Sequence, residues 1–244
     1  MGVAGEFTGK ISEKYNTVEY YFKLKKTNEA LVGENVRLRS LLRSNYEGAD
    51  TLHKLVVDSI RIDSLLTVQR FKYYDAKVVN SFVSTQNNYI TIHRGINQGV
   101  HKDMAVISPQ GIVGRVVNAG PNYAVVMSVL HRDFKVNSML KKSGERGSVS
   151  WSGESPLYIT LKDIPKSAQV AKGDTVMTSN VSDIYPPGIM VGTILEVVDD
   201  KSSNFYTLKL KPATNFFTVE YVYVIDDLQK EERQKVEEQI KKGQ

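Results

Sequence analysis

The side chains with the widest chemical range in this sequence are four histidines, His53, His93, His101 and His131, and two serine motifs that carry lysine. A histidine beside a carboxylate can shuttle a proton or hold a metal. Only His101, near Asp103, and His131, near Asp133, have such a neighbour, and both lie in turn-like stretches. No second histidine stands at metal-ligand spacing, so the histidines are expected at the surface. Ser138-Met-Leu-Lys141 has the S-x-x-K form of an acylating serine, and Lys142-Ser143-Gly144 has the form of its K-[ST]-G companion. In enzymes of that kind the serine opens a helix and the companion lies on a distant strand. Here the two abut, and Ser138 alternates with Val136 and Leu140 as a strand residue would. The chain has no cysteine, which removes disulfides, thiolate catalysis and thiolate-bound zinc. No G-x-S-x-G, P-loop or H-E-x-x-H is present. No catalytic residue, metal or cofactor is therefore expected.

Those residues must be carried by something, and 244 residues suffice for two compact units and an accessory segment. A net charge of +5 invites an anionic partner, yet 32 basic residues are scattered among 27 acidic ones. The basic clusters Lys23, Lys25, Lys26 and Lys141, Lys142, Arg146 have no interleaved aromatic platform, so no nucleic-acid partner is expected. No apolar run approaches the roughly 20 residues that cross a bilayer. Residues 1–10 read as an expression scar and a disordered start, which leaves room for a membrane anchor upstream.

From 11 to 47 there is no proline and one glycine, Gly33, and apolar residues recur at helical spacing. Leu24, Leu31 and Leu38 lie seven apart; taking them as position d puts Tyr21, Asn28, Asn35 and Leu42 at position a. A heptad seam of this kind drives two helices to supercoil, and asparagine at position a suits a parallel dimer. Glu34 and Arg39 have the spacing of an ion pair between the two helices. Upstream, Val18, Tyr21 and Leu24 step by three, a stammer that overwinds the coil locally. A narrow face interrupted by two asparagines suits a homodimer seam better than a core-facing stripe. Residues 48–70 read as a linker, with a strand possible near 55–62.

Beyond Phe71 the period changes to two. Twelve short β-branched or aromatic runs succeed one another, separated by turn signals such as Asn87-Asn88, Gln110-Gly111, Pro121-Asn122 and Pro187-Gly188. In one, Tyr206, Leu208 and Leu210 point one way while Thr207, Lys209 and Lys211 point the other. The fold class is mainly β: a coiled-coil helix followed by two small barrels of the six-stranded type. One pattern occurs twice. Val100-His-Lys-Asp-Met-Ala-Val106 leads to Gly111 and Gly114, and Val170-Ala-Lys-Gly-Asp-Thr-Val176 leads to Gly188 and Gly192. Glycines at these positions mark sharp bends or close backbone approaches. The charged tail, 227–244, reads as a solvated or frayed helix.

Several stretches together carry a family resemblance: Glu34-Asn35-x-x-Leu38, then residues 89–100, 103–114 and 172–179, and finally Tyr185-Pro-Pro-Gly-Ile-Met-Val-Gly192. Over residues 20–226 the chain resembles the bacterial rod shape-determining MreC family. Asn88-Tyr-Ile-Thr91 and Phe205-Tyr-Thr207 are most similar to Bacteroidetes-type members. The resemblance implies a non-enzymatic dimeric scaffold of the elongation machinery on the periplasmic face of the inner membrane, anchored by a single N-terminal helix. It implies class B penicillin-binding proteins, MreD, RodA and MreB as partners. It also implies interleaved barrels, with 71–109 and 187–226 forming the first and 110–186 the second. Two other readings stay open: a degenerate chymotrypsin-like hydrolase on two barrels, and a basic nucleic-acid binder.

Overall fold

A computed structural model describes residues 23–42, 46–48, 67–182 and 184–242. The chain divides into a unit ending at Leu41 and a larger one from Leu42 onward, and each is described by itself. In the first, helix α1 spans 23–40. The helix expected to reach residue 47 thus stops seven residues earlier. Leu41 N–H donates to Leu38 O at 3.2 Å, a tightened last turn. Strand β1 (Tyr46–Gly48) then pairs antiparallel with β2 (Thr67–Gln69). Gly48 has poor helix propensity, and pairing with a distant segment satisfies its backbone instead. The strand expected near 55–62 lies outside the described residues, as do the expected scar, 1–10, and the Val18 stammer.

Twelve further strands are built from the twelve runs read in the sequence: β3 (Phe71–Ser81), β4 (Asn87–His93), β5 (Ala105–Ile107), β6 (Ile112–Ala119), β7 (Ala124–His131), β8 (Lys135–Leu140), β9 (Arg146–Ser150), β10 (Ile159–Pro165), β11 (Thr175–Thr178), β12 (Met190–Val198), β13 (Phe205–Pro212) and β14 (Tyr221–Asp227). They close two antiparallel six-stranded barrels. Barrel one runs β14-β3-β4-β7-β6-β5, and barrel two runs β10-β13-β12-β11-β8-β9. The alternation read along β13 is seen directly: Tyr206, Leu208 and Leu210 pair with Ile164, Leu161 and Ile159 of the neighbouring strand β10, and both leucines are buried. Val149, Ile159, Leu161, Ile164, Val176 and Leu208 are wholly buried there, as are Ile90, Ile92, Val106, Val126, Val222 and Val224 in barrel one.

The barrel boundaries differ from the expected ones. Strands β6 and β7, expected in the second barrel, hydrogen-bond within the first, and β12 and β13 close the second barrel rather than the first. Only β14 returns from the far end of the chain to complete barrel one. The reason is local. The β5–β6, β6–β7, β11–β12 and β12–β13 connections are hairpins, and sequential strands pair across short connections before distant ones do.

The repeated sequence is a repeated geometry. Val106 faces Gly114 across β5–β6, and Val176 faces Gly192 across β11–β12. Each ladder shifts register just beyond that valine, and the next ladder in each barrel shifts again, at Val116/Asn118 and at Ile194/Glu196. Such bulges supply the extra twist that closes a small barrel. The preceding turns match as well: Asp103 and Gly173 both take positive φ, 66° and 92°. Asp103 N–H donates to Val116 O and Gly173 N–H to Ile194 O, both at 2.8 Å. Helix α2 (Lys230–Lys242) comes after β14, where a solvated or frayed helix is expected.

Candidate interaction surfaces

Along α1 the heptad leucines Leu24, Leu31 and Leu38 are 54%, 56% and 49% exposed; Leu42, expected to continue the seam, lies past the helix end because α1 stops at residue 40. Asn28 and Asn35 share that exposed face, and Asn35 Nδ2 donates to Leu31 O at 3.0 Å. The helix buries Val32 instead and half-buries Val36, Arg39 and Ser40. Val32 is one residue, about 100° of rotation, from Leu31, so the seam is left as a free apolar stripe. Within one chain Glu34 forms a two-pronged ion pair with Arg37 of its own helix, the shortest contact 2.7 Å. Those hydrogen bonds from Arg37 hold the Glu34 carboxyl below the usual carboxylate range. Tyr21 lies outside the described residues.

The four repeat glycines fall into distinct kinds. A Cβ on Gly114 would stand 2.1 Å from Met127 O, and one on Gly192 would stand 2.3 Å from Lys211 O. Both close approaches are to the neighbouring strand, and no side chain fits. Gly111 instead admits the other barrel, since its Cβ would meet Met190 O at 2.3 Å and the Ala213 methyl at 2.7 Å. Gly188 has open space around it and is required by its left-handed φ of 84°.

Gly111 belongs to a junction that binds the barrels together. Tyr185, from the segment between β11 and β12, is buried and donates its hydroxyl to Gly114 O in barrel one. Burial pushes the phenol far above its ordinary pKa, so it stays protonated and keeps donating. Thr214 sits where the chain leaves barrel two; its hydroxyl donates to Ile112 O at 2.9 Å and lies 2.7 Å from Ser108 Oγ. Sequence reasoning singled out Tyr185-Pro-Pro-Gly188 as a motif without its role. Thr214 carries no local signal, because its partners lie about a hundred residues away in the chain.

The chemically capable residues are placed as follows. His93 and His101 are exposed, and His93 stacks on Tyr123 with ring centroids 4.8 Å apart. His131, expected at the surface, is buried at 2% exposure. Its position at the end of β7 turns it inward, where both ring nitrogens find partners: Nε2 lies 3.1 Å from Tyr89 OH, and Nδ1 accepts from Asp133 N–H at 3.1 Å. Burial lowers its pKa, with Asp133 opposing. His53 lies outside the described residues. Ser138 is wholly buried on β8, its hydroxyl turned to Val136 O. Among the described residues no group of three or more His, Asp or Glu side chains could hold a metal. Among them, too, no helix is long and apolar enough to cross a membrane. The barrels expose apolar side chains at several places, including Val79 and Phe82 on barrel one and Leu195, Val198 and Phe205 on barrel two.

Residues 78–226 match the family described as rod shape-determining protein MreC, barrel core. The match spans more than half of the sequence and covers β4 through β13 entire. The chain belongs to the MreC family. The cell shape-determining protein MreC of Listeria monocytogenes is 27% identical over 226 residues, covering 91% of this chain and 73% of that protein. A solved MreC structure from Listeria monocytogenes has the same fold, with TM-score 0.60 at 24% identity, covering 91% of this chain and 94% of that one. A third likeness is to a complex between penicillin-binding protein PBP2 and MreC from Helicobacter pylori; the TM-score is 0.52 at 17% identity, over 65% of this chain and 99% of that one. This chain is thus a cell-shape protein of a structural kind, with the MreC double barrel as its body.

Proposed function

We propose that this chain is a non-enzymatic dimeric scaffold of the bacterial cell-elongation machinery, and that it organises peptidoglycan synthesis from the periplasmic face of the inner membrane. The observation that carries the reading is the free leucine seam of α1, a heptad stripe with about half of each leucine's surface exposed in a single chain. Exposed leucines at seven-residue spacing are a cost to an isolated helix and an interface to a paired one. Two such helices in parallel would bring Asn28 and Asn35 against their own copies. The family resemblance supplies those partners: a class B penicillin-binding protein, as in the Helicobacter pylori complex, together with MreD, RodA and MreB. It also supplies a membrane anchor ahead of the coil.

Sedimentation velocity tests the dimer. The chain should sediment as twice its mass, and a chain beginning at Phe71 as a monomer; an equal oligomeric state for both overturns the coil as the dimerising element. Site-specific cross-linking from the barrels to the class B penicillin-binding protein of the same cell tests the partner, and its absence from the adducts argues against that assignment.

A further inference from the structure

The two barrels correspond strand for strand, with one permutation. Around barrel two the neighbours of β11 are β12 and β8, and around barrel one the neighbours of β5 are β6 and β14. Leu140 of β8 pairs with Val176 as Val224 of β14 pairs with Val106. The last strand of barrel one therefore takes the place that the first strand of barrel two occupies. The chain leaves these two strands by different routes. In barrel one, β14 runs on through Asp227 and leads into α2, and Lys230 folds back to donate its ammonium to Asp103 O at 2.8 Å. The corner beside the turn His101–Met104 is thereby filled by polypeptide, and its carboxylates are answered by cations: Asp103 by Arg115, Asp227 by Arg70 and Arg233, and Asp226 by Lys72.

In barrel two the chain turns at once, from β8 through Lys141-Lys142-Ser143-Gly144 into β9, and among the described residues no segment fills the matching corner. A cleft of about 350 Å³ stands open there, lined by Lys141, Lys142, Gly173, Asp174 and Thr175. Where the barrel-one corner balances its charges, this lining holds two cations to one carboxylate. Two lysines line it, and exposed Lys172 stands on the adjoining turn. The single lining carboxylate is Asp174, whose Oδ2 accepts from Ala171 N–H at 2.9 Å, a bond that orients it without removing its charge. Among the described residues neither Lys141 nor Lys142 forms an ion pair. Gly173, with no Cβ neighbour within 4 Å, leaves the floor open.

We propose that this cleft of barrel two is a docking site for an acidic segment of a partner polypeptide. Carboxylates there would take the charge-complementary part that Lys230 plays in barrel one. Polypeptide is the favoured occupant because the equivalent corner is filled by polypeptide, and the lysine pair sets the sign of the charge it must carry. The site lies on the barrels and does not depend on the coil or on dimerisation.

The full chain is titrated into a fluorescein-labelled hexaglutamate peptide at low salt, and anisotropy is read. K141Q/K142Q should bind at least tenfold more weakly, while K135Q/K201Q, which removes the same charge elsewhere on barrel two, should stay within twofold. In heteronuclear spectra of the unaltered chain the peptide should move the Gly173 and Thr175 amides and leave those of Gly99 and Ala105 in place. Equal weakening in both variants would mean attraction to net charge alone and would overturn the site. So would unmoved Gly173 and Thr175 amides. Tighter, Lys141/Lys142-dependent binding to phosphatidylglycerol vesicles than to the peptide would overturn the polypeptide assignment in favour of a membrane surface.

Discussion

Barrel one borrows its sixth strand from the far end of the chain, whereas barrel two takes all six from one continuous stretch. The same closed sheet, with bulges at matching places, is reached by two chain paths. Closure therefore depends on which strand edges meet rather than on the order in which the chain supplies them. The difference lies in what each barrel needs from outside itself. Barrel two is self-sufficient between Lys135 and Pro212, while barrel one presents two raw edges, β3 and β5, until β14 arrives between them.

The largest expected effect comes from removing that strand. A chain ending at Pro212 should lose barrel one and keep barrel two, because Val222, Tyr223, Val224 and Ile225 of β14 are almost wholly buried in the first. Hydrogen exchange should show protection lost across β3–β7 and retained across β8–β13. Loss in both barrels would mean that they fold only as one body.

Next come the matched glycines. Gly114→Val and Gly192→Val each push a side chain into a neighbouring carbonyl, at a cost of about 3 kcal/mol or more. In a chain of this size that lowers the melting midpoint by about 6 °C or more. Gly114→Val should cost the more, since Gly114 O also receives Tyr185. Gly188→Ala meets only its left-handed φ and should cost about 1 kcal/mol. Equal losses at all three positions would undo the distinction between close approach and turn strain.

A smaller loss, about 1–2 kcal/mol, is expected for Tyr185→Phe, which leaves the buried Gly114 carbonyl short of a donor. Its signature should be uncoupling: the unaltered chain should melt in one calorimetric transition and the variant in two.

Smallest is a pH effect confined to barrel one. His131 is held neutral by burial, so its folded pKa lies below the ordinary 6.5. The unfolded chain then binds the proton first, and stability is complete above 6.5 and falls as pH drops through the window beneath it. His131→Gln should flatten that slope in melts taken below pH 6.5; an unchanged slope would assign it to another group.

Period-two alternation and turn residues made all twelve barrel strands legible, because a strand half-buried against a core must alternate wherever it lies. The repeat was legible for the same reason: Gly114 and Gly192 answer a local need, the approach of the next strand's carbonyl. The end of α1 was not, since β1 pairs with β2 across an interval that no short window contains. Nor was the buried state of His131, whose neighbour Tyr89 comes from another strand.

By itself, then, the amino-acid sequence determined the barrel strands, the duplicated hairpin and the heptad leucines, all of which depend on neighbours a few residues away. Only the tertiary structure decided which barrel each strand joins, because edges pair by proximity after the chain has folded back. It alone showed that the four glycines do three different jobs. And it alone set a filled corner in barrel one against an open one in barrel two, since that contrast rests on where the chain goes after β14 and after β8.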